Sequence, residues 1–171
     1  TYPSAVPITA IEFGAKGERL FASGYREVTV WDAKTGKLLD RLGNIAERVY
    51  DLSISPDGQR LAVASGQPGR LGEVRIFDLA NRELQSVPIT TADVVFAVAF
   101  SNDGKRLAAG SADNKLRLVN IESGEVTHEL GSHSDWVNSV AWNTDDSRLV
   151  TASRDKTVKV FNAQTGARIV S

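Results

Sequence analysis

The sequence has no cysteine among its 171 residues. It therefore has no disulfide, no thiolate nucleophile, no zinc–thiolate site and no covalent haem attachment. This absence assigns no compartment, because cytosolic and exported proteins alike dispense with cysteine. Charge of one sign is lacking too: 20 Lys and Arg stand against 21 Asp and Glu, a net charge of −1. No global field favours nucleic acid or an anionic membrane, and no basic groove with interleaved aromatics is legible. The longest apolar run, Val94–Phe100, is seven residues, against about 20 for a membrane-spanning helix. Thr1-Tyr2-Pro3-Ser4 is neither basic nor apolar, so no signal peptide is expected there; a leader removed before Thr1 stays open. No window holds apolar residues at helical spacing for long. The expectation is a soluble protein, of cytoplasm or periplasm alike, with no nucleic-acid or membrane partner.

What is present is a repeat. Ser134–Gly166 holds an apolar run (Val137–Trp142), a polar turn, a second apolar run (Leu149–Ser153), a charged turn (Arg154–Lys156), an alternating run (Thr157–Phe161) and a last turn. Alternation with period 2 between tight turns predicts half-buried strands. The same text returns in IEFGAKGERL (Ile11–Leu20), LSISPDGQRL (Leu52–Leu61), VAFSNDGKRL (Val98–Leu107) and VAWNTDDSRL (Val140–Leu149). Each unit closes on a similar run: VTVWD, VRIFD, LRLVN and VKVFN, ending at Asp32, Asp78, Asn120 and Asn162. The Arg-Leu pairs ending at Leu20, Leu61, Leu107 and Leu149 are spaced 41, 46 and 42 residues apart. A fixed period in this range marks a solenoid, propeller or array.

Trp31-Asp32 is a Trp-Asp signature as it stands, with Phe77-Asp78, Val119-Asn120 and Phe161-Asn162 as weaker versions; the SPDG turn is intact at Ser55–Gly58 and nearly so at Ser101–Gly104. Four copies in phase resemble the WD-repeat β-propellers, bacterial-type repeats among them. The resemblance implies an all-β fold of four four-stranded antiparallel blades in one propeller segment spanning 1–171. The blades are expected at about 8–41, 49–87, 95–130 and 137–171, each with strands a to d from the axis outward. Gly36, Gly124 and Gly166, and Asn81 in the second unit, are expected at the positive-φ position of the c–d turns. The second unit is four residues longer between strands b and c, where Gly66, Pro68, Gly69 and Gly72 suggest an irregular surface loop. Joining Ser171 to Thr1 would continue the repeat at a step of 42. Because propellers of this kind close in rings of about seven or eight blades, the expectation is half of an eight-bladed ring, closed by a second copy as a homodimer.

Blades of this family often hold a tetrad of His, Ser or Thr, Asp and a strand-c Trp. The last unit offers His133, Ser153 and Asp155 with Phe161 in place of Trp. The third offers Ser111 and Asp113, with Thr91 and Val119 at the other two positions. The first has Trp31, expected in a packed site, but Tyr25 where the Asp would be. His133–Ser153–Asp155 is read as a structural network; a hydrolase triad is disfavoured for want of an evident oxyanion hole. His128 and His133 lie five apart and Asp145-Asp146 reads as a solvated turn, so no metal site is expected. No Gly-rich loop precedes a helix to cradle a phosphate; no cofactor is expected. By resemblance the d–a and b–c loops share the top face. That face would carry Tyr25, Arg26, Arg48, Gln67, Arg70, Leu71, Asn114, Trp136 and Arg154, of which the aromatics and arginines are types enriched at hot spots. Trp136 aligns with Val94, Arg48 and Pro7, so the core does not demand Trp there. The implied function is a non-enzymatic scaffold binding a protein or peptide. A structural or engineered half-propeller that self-assembles, and an accessory domain of a larger enzyme, for instance a redox enzyme, remain as alternatives.

Overall fold

In a computed structural model of the chain, residues 7–131 and 133–170 are described. Their regular structure is four four-stranded antiparallel sheets. The first holds β1 (Ile11–Phe13), β2 (Arg19–Ser23), β3 (Val28–Asp32) and β4 (Leu38–Leu42). The second holds β5 (Arg48–Ile54), β6 (Arg60–Gln67), β7 (Leu71–Asp78) and β8 (Glu83–Thr91). The third holds β9 (Val95–Phe100), β10 (Arg106–Ser111), β11 (Lys115–Asn120) and β12 (Val126–Gly131). The fourth holds β13 (Val137–Trp142), β14 (Arg148–Ser153), β15 (Val158–Asn162) and β16 (Arg168–Val170). Each is a meander whose strands pair in sequence order, so the d–a and b–c connections share one end of the sheets and the a–b and c–d turns the other.

The turns explain the recurrent sequence. The residue closing each strand c accepts backbone N–H bonds through its side-chain Oδ1: Asp32 from Lys34 and Thr35, Asp78 from Ala80 and Asn81, Asn120 from Glu122 and Ser123, Asn162 from Gln164 and Thr165. A short side chain with an oxygen at this position is what an Asx turn requires. The turn then passes through positive φ at Gly36, Gly124 and Gly166, and at Arg82 in the second blade. This corrects the expectation for Asn81, whose Oδ1 instead accepts the N–H of Glu83.

Period-2 alternation gives every blade two apolar faces, one toward the preceding blade and one toward the next. Phe21, Val28, Val30 and Leu42 of the first blade meet Val49, Leu52, Leu61, Val63 and Phe77 of the second. Ala62, Ala64, Val74, Ile76 and Ile89 meet Val98, Phe100, Leu107, Ala109 and Val119 of the third. Ala108, Leu116 and Leu118 meet Leu149, Phe161 and Ala163 of the fourth. Among the described residues the backward face of the first blade has no such neighbour: Ile11 and Phe13 are exposed and Trp31 is half-buried, not the fully packed site expected of it. The forward face of the fourth, with Val158 exposed and Val150 and Val160 half-buried, is likewise open.

Two further expectations are corrected. The insertion in the second blade is not an irregular loop. It lengthens the b–c hairpin, with Gly66 opposite Gly72 and Gln67 opposite Leu71. The hairpin lies so close to the start of the third blade that a Cβ on Gly72 would overlap the Asp93 carbonyl, and one on Gly66 would sit 2.8 Å from the Val94 side chain. Those glycines therefore serve close approach. Asp145-Asp146 is only half a solvated turn. Asp145 is exposed, but Asp146 is buried in the left-handed region (φ 57°), where the other blades have Gly17, Gly58 and Gly104. Its carboxylate accepts the N–H groups of Asn102 and Asp103, each at 2.8 Å, and the Asn102 amide at 2.7 Å. Arg106 adds bonds to the carbonyls of Asp146 and Ala163. Together they clasp the third blade to the fourth.

Candidate functional site: an aromatic and arginine belt on the loop face

Strand a of three blades carries one extra residue. Register breaks between Val49 and Asp51, between Val95 and Ala97, and between Val137 and Ser139 leave Tyr50, Phe96 and Asn138 unpaired. A bulge re-aims its side chain out of the alternation. Here it brings aromatics from different blades together. The Tyr50 and Phe96 rings lie 5.1 Å apart, nearly edge to face at 82°. Phe96 and Trp136 are also 5.1 Å apart, tilted by 35°. The Arg154 guanidinium sits 4.5 Å from the centre of the Trp136 ring, within cation–π reach. Trp136 keeps 38% of its surface in water.

Three more of the expected residues lie close to Tyr50 along the backbone. Arg48 starts the same strand, and Tyr25 bridges to it from the b–c turn of the first blade. Arg26 follows at φ 61°, its N–H donating to the Glu47 carbonyl. Side-chain contacts thus run from Tyr50 through Phe96 and Trp136 to Arg154; Arg48, two residues before Tyr50, and Tyr25, its backbone bridge partner, extend this belt along the backbone, with Arg26 beside them. The remaining expected residues lie apart from it. Gln67 and Leu71 face each other at the end of the lengthened hairpin, and both are half-buried rather than projecting. Arg70 is exposed in the turn between them. Asn114 occupies positive φ (68°) in the b–c turn of the third blade.

The His133 network is present with one member changed. His133 Nδ1 lies 2.8 Å from Asp155 Oδ2, and Nε2 lies 2.7 Å from Thr151 Oγ1. Ser153 is occupied elsewhere: it donates to the Asp135 carbonyl and accepts the N–H of Asp155. The carboxylate needs a donor, so Nδ1–H points at Asp155, and Nε2 shares a hydrogen bond with the Thr151 hydroxyl. Burial pushes the Asp155 carboxyl up, but bonds from Thr157, His133 and the Ser134 N–H hold it far below the usual range. An Asp–His–Thr order invites comparison with a nucleophilic triad. The His133 side chain, however, is wholly buried and Thr151 is 1% exposed, so neither can meet a substrate. In the third blade Arg117 supplies the donor that Val119 lacks, reaching Asp113, Ser111 and Glu129. Asp113 is raised by burial but pulled lower still by Arg117 and Ser111. Among the described residues, no group of three or more His, Asp or Glu converges as a metal site would require, and no helix is long and apolar enough to cross a membrane.

The family model of the WD domain, G-beta repeat, matches residues 36–78, 82–120 and 124–162, more than half of the chain. The chain belongs to the WD40 repeat family. Each matched WD40 repeat runs from the outermost strand of one sheet through the inner three of the next: β4–β7, β8–β11 and β12–β15. Repeat and sheet are thus staggered by one strand, and every matched repeat ties two blades together. The periodic tryptophan protein 2 homolog of Schizosaccharomyces pombe is 30% identical over 137 residues, 79% of this chain and 16% of that protein. The intraflagellar transport protein 122 homolog of Danio rerio is 36% identical over 91 residues, 53% of this chain and 7% of that protein. WD repeat-containing protein VIP3 of Arabidopsis thaliana is 28% identical over 120 residues, 63% of this chain and 36% of that protein. The chain thus spans a minor part of each of these relatives, and nothing in the matches marks its WD40 repeats as bacterial in type.

Tyr50 and Phe96 were not among the residues expected from sequence. The signal that points to Tyr50 is an unbroken pair, Val49-Tyr50, inside a run that otherwise alternates; Phe96 stands in the unbroken apolar run Val94–Phe100 and carries no such mark. At the aligned positions stand Thr9 and Asn138, so the repeat itself does not require an aromatic there.

Proposed function

We propose that the protein is a non-enzymatic scaffold that holds a protein or peptide ligand on its loop face, through the belt from Tyr25 and Arg48 to Trp136 and Arg154. The observation that carries this is the run of aromatic contacts between blades, ending in a Trp136 that stays 38% exposed under Arg154. Aromatic and Arg side chains held rigidly on sheet ends lose little freedom on binding, and residues of these kinds dominate binding energy at interfaces. Selection of a random peptide library on the whole protein, with Trp136→Ala as counter-target, tests the reading. Peptides that bind the native protein and not the variant are expected. A library yielding none that depend on Trp136 contradicts it.

The same reading includes closure of the ring by a second copy, head to tail, into eight blades. The open faces support it: Ile11, Phe13 and Trp31 at one end, Val158 and Val160 at the other. Covering both would bury on the order of 2,000 Å², the scale of an obligate interface, through heterologous contacts. Sedimentation equilibrium is expected to give twice the chain mass of 18.4 kDa. A stable monomer at micromolar concentration assigns those faces to other blades instead.

A further inference from the structure

We infer that the ligand of this belt is an acidic peptide segment with an apolar or aromatic anchor, rather than a neutral or basic peptide or a single-stranded nucleic acid. The inference rests on the loop-face reading above and adds the chemistry of the occupant. Its basis is the unequal state of the charges around the aromatic row.

The acids near the belt are committed to the protein's own backbone. Asp135 Oδ1 accepts the N–H of Trp136 at 2.8 Å. Asp93 Oδ1 accepts the N–H groups of Val94 and Gly69 at 2.8 and 3.0 Å. Deeper in the inner strands, Asp51 accepts the N–H groups of Leu52 and Val98, and Glu12 that of Ile54. Of the nearby acids only Glu47 is exposed with no side-chain bond among the described residues.

The arginines are in the opposite state. Arg26 and Arg48 are exposed, and among the described residues no side-chain hydrogen bond or ion pair engages their guanidiniums. Arg154 stacks on Trp136 and meets Asp135 only at 3.7 Å, leaving donors free. A protein with net charge −1 thus presents uncommitted guanidiniums on both sides of an aromatic row. Such forks favour carboxylates, which they bind through two parallel N–H donors. The aromatic centre takes an apolar side chain between the flanking acids.

Arginine beside aromatics also suits single-stranded nucleic acid, which needs open ring faces for successive bases. The stacked row from Tyr50 to Trp136 does not offer a succession of them. Phe96 is engaged by Tyr50 and Trp136, and one face of Trp136 is covered by Arg154.

Three fluorescent peptides of one length test this, each with a central Leu-Phe pair flanked by Glu, by Gln or by Lys; a single-stranded oligouridine is the fourth probe. Anisotropy titrations use the whole protein at low and at physiological salt. The Glu peptide is expected to bind at least tenfold tighter than the Gln peptide, and to weaken several-fold as salt rises. The Lys peptide and the oligonucleotide are expected to bind weakest. Trp136→Ala and the double variant Arg48→Gln/Arg154→Gln are each expected to lower the affinity for the Glu peptide at least tenfold with the thermal midpoint retained. If either variant fails to fold, competition of the Glu peptide against a library-selected peptide on the native protein replaces it; displacement is expected. Equal binding of the Gln or Lys peptide, tighter binding of the oligonucleotide, or no binding of the Glu peptide overturns the acidic ligand. In those cases, Trp136-dependent peptides from the library would still leave the loop-face reading standing, and their absence would remove both.

Discussion

The backward face of the first blade and the backward faces of the other three carry the same kinds of side chain in different surroundings. Leu61, Leu107 and Leu149 are fully buried, whereas Leu20 is only half-buried. Phe77, Val119 and Phe161 are at most 3% exposed, whereas Trp31 at the aligned position is half-buried. Leu52 and Phe100 are 4% and 8% exposed, whereas Ile11 and Phe13, which share their two aligned positions on strand a, are 64% and 59% exposed. The pattern makes each blade two-faced, and the neighbouring blade decides whether a face is core. An apolar repeat position is therefore a demand for a partner, which the described residues meet at the three inner junctions and not on the backward face of the first blade or the forward face of the fourth.

The largest expected effect sets one inner junction against the open face. Phe77→Ala should cost about 3–5 kcal/mol by urea unfolding. Trp31→Ala should cost only about 1–2 kcal/mol in dilute protein, since less of its ring leaves water. If a second copy covers that face, the Trp31→Ala loss grows with protein concentration and the Phe77→Ala loss does not. Equal losses at every concentration would break the distinction.

A second contrast lies between two inner junctions. At the second, Gly104 faces Pro56, 3.5 Å from where a Cβ would stand, and a proline has no N–H to offer. At the third, Asn102 replaces that Pro and has an N–H, and Asp146 replaces that Gly and accepts it. Asp146→Gly should cost about 1–3 kcal/mol by leaving the N–H groups of Asn102 and Asp103 without an acceptor. Asp146→Ala should cost about 1 kcal/mol more, since Ala gains nothing at positive φ. A glycine variant with a urea midpoint above the native chain's would show that backbone strain, not the clasp, governs this turn.

Those examples mark what the sequence could and could not disclose. Strands, turns and blade number followed from alternation, from the Asp or Asn that closes each strand c, and from the repeat. The strand boundaries of the second blade did not, because glycines that permit close approach read as loop formers until the neighbouring blade is in place. Asp146 read as solvated because its acceptors serve residues more than 40 positions away. The hydroxyl on His133 was assigned to Ser153 instead of Thr151, two residues along the same strand. Trp136 and Arg154 were each expected on the loop face but their stacking was not, and the bulges that bring Tyr50 and Phe96 to them break the alternation on which the reading relied.

A smaller effect concerns charge at the first junction. Burial raises the Glu12 carboxyl, helped by the nearby Asp51, against the bond from the Ile54 N–H; burial also raises Asp51. A carboxyl raised by folding binds its proton more tightly in the native state, so its contribution to stability falls as pH rises through the interval between its unfolded and folded values. Glu12→Gln should therefore gain stability relative to the native chain at neutral pH, and the gain should vanish in acid below both values. Urea midpoints across pH check it; a gain that persists in acid would show that charge is not the cause. The smallest expected change in stability is at the belt. Trp136→Ala should shift the unfolding free energy by less than about 1 kcal/mol while removing about 2 kcal/mol or more of ligand binding, read by chemical denaturation and titration on the same samples.

The account's central claim is that the loop-face belt, and not an open blade face, is where a ligand is held. Amide hydrogen exchange of the whole protein, with and without a library-selected peptide, tests it most directly. The account predicts added protection at Arg48–Tyr50, Val95–Ala97, Trp136–Val137 and Arg154, with Ile11–Phe13 and Val158–Val160 unchanged. Protection confined to Ile11–Phe13 or to Val158–Val160, with the belt unchanged, would contradict it.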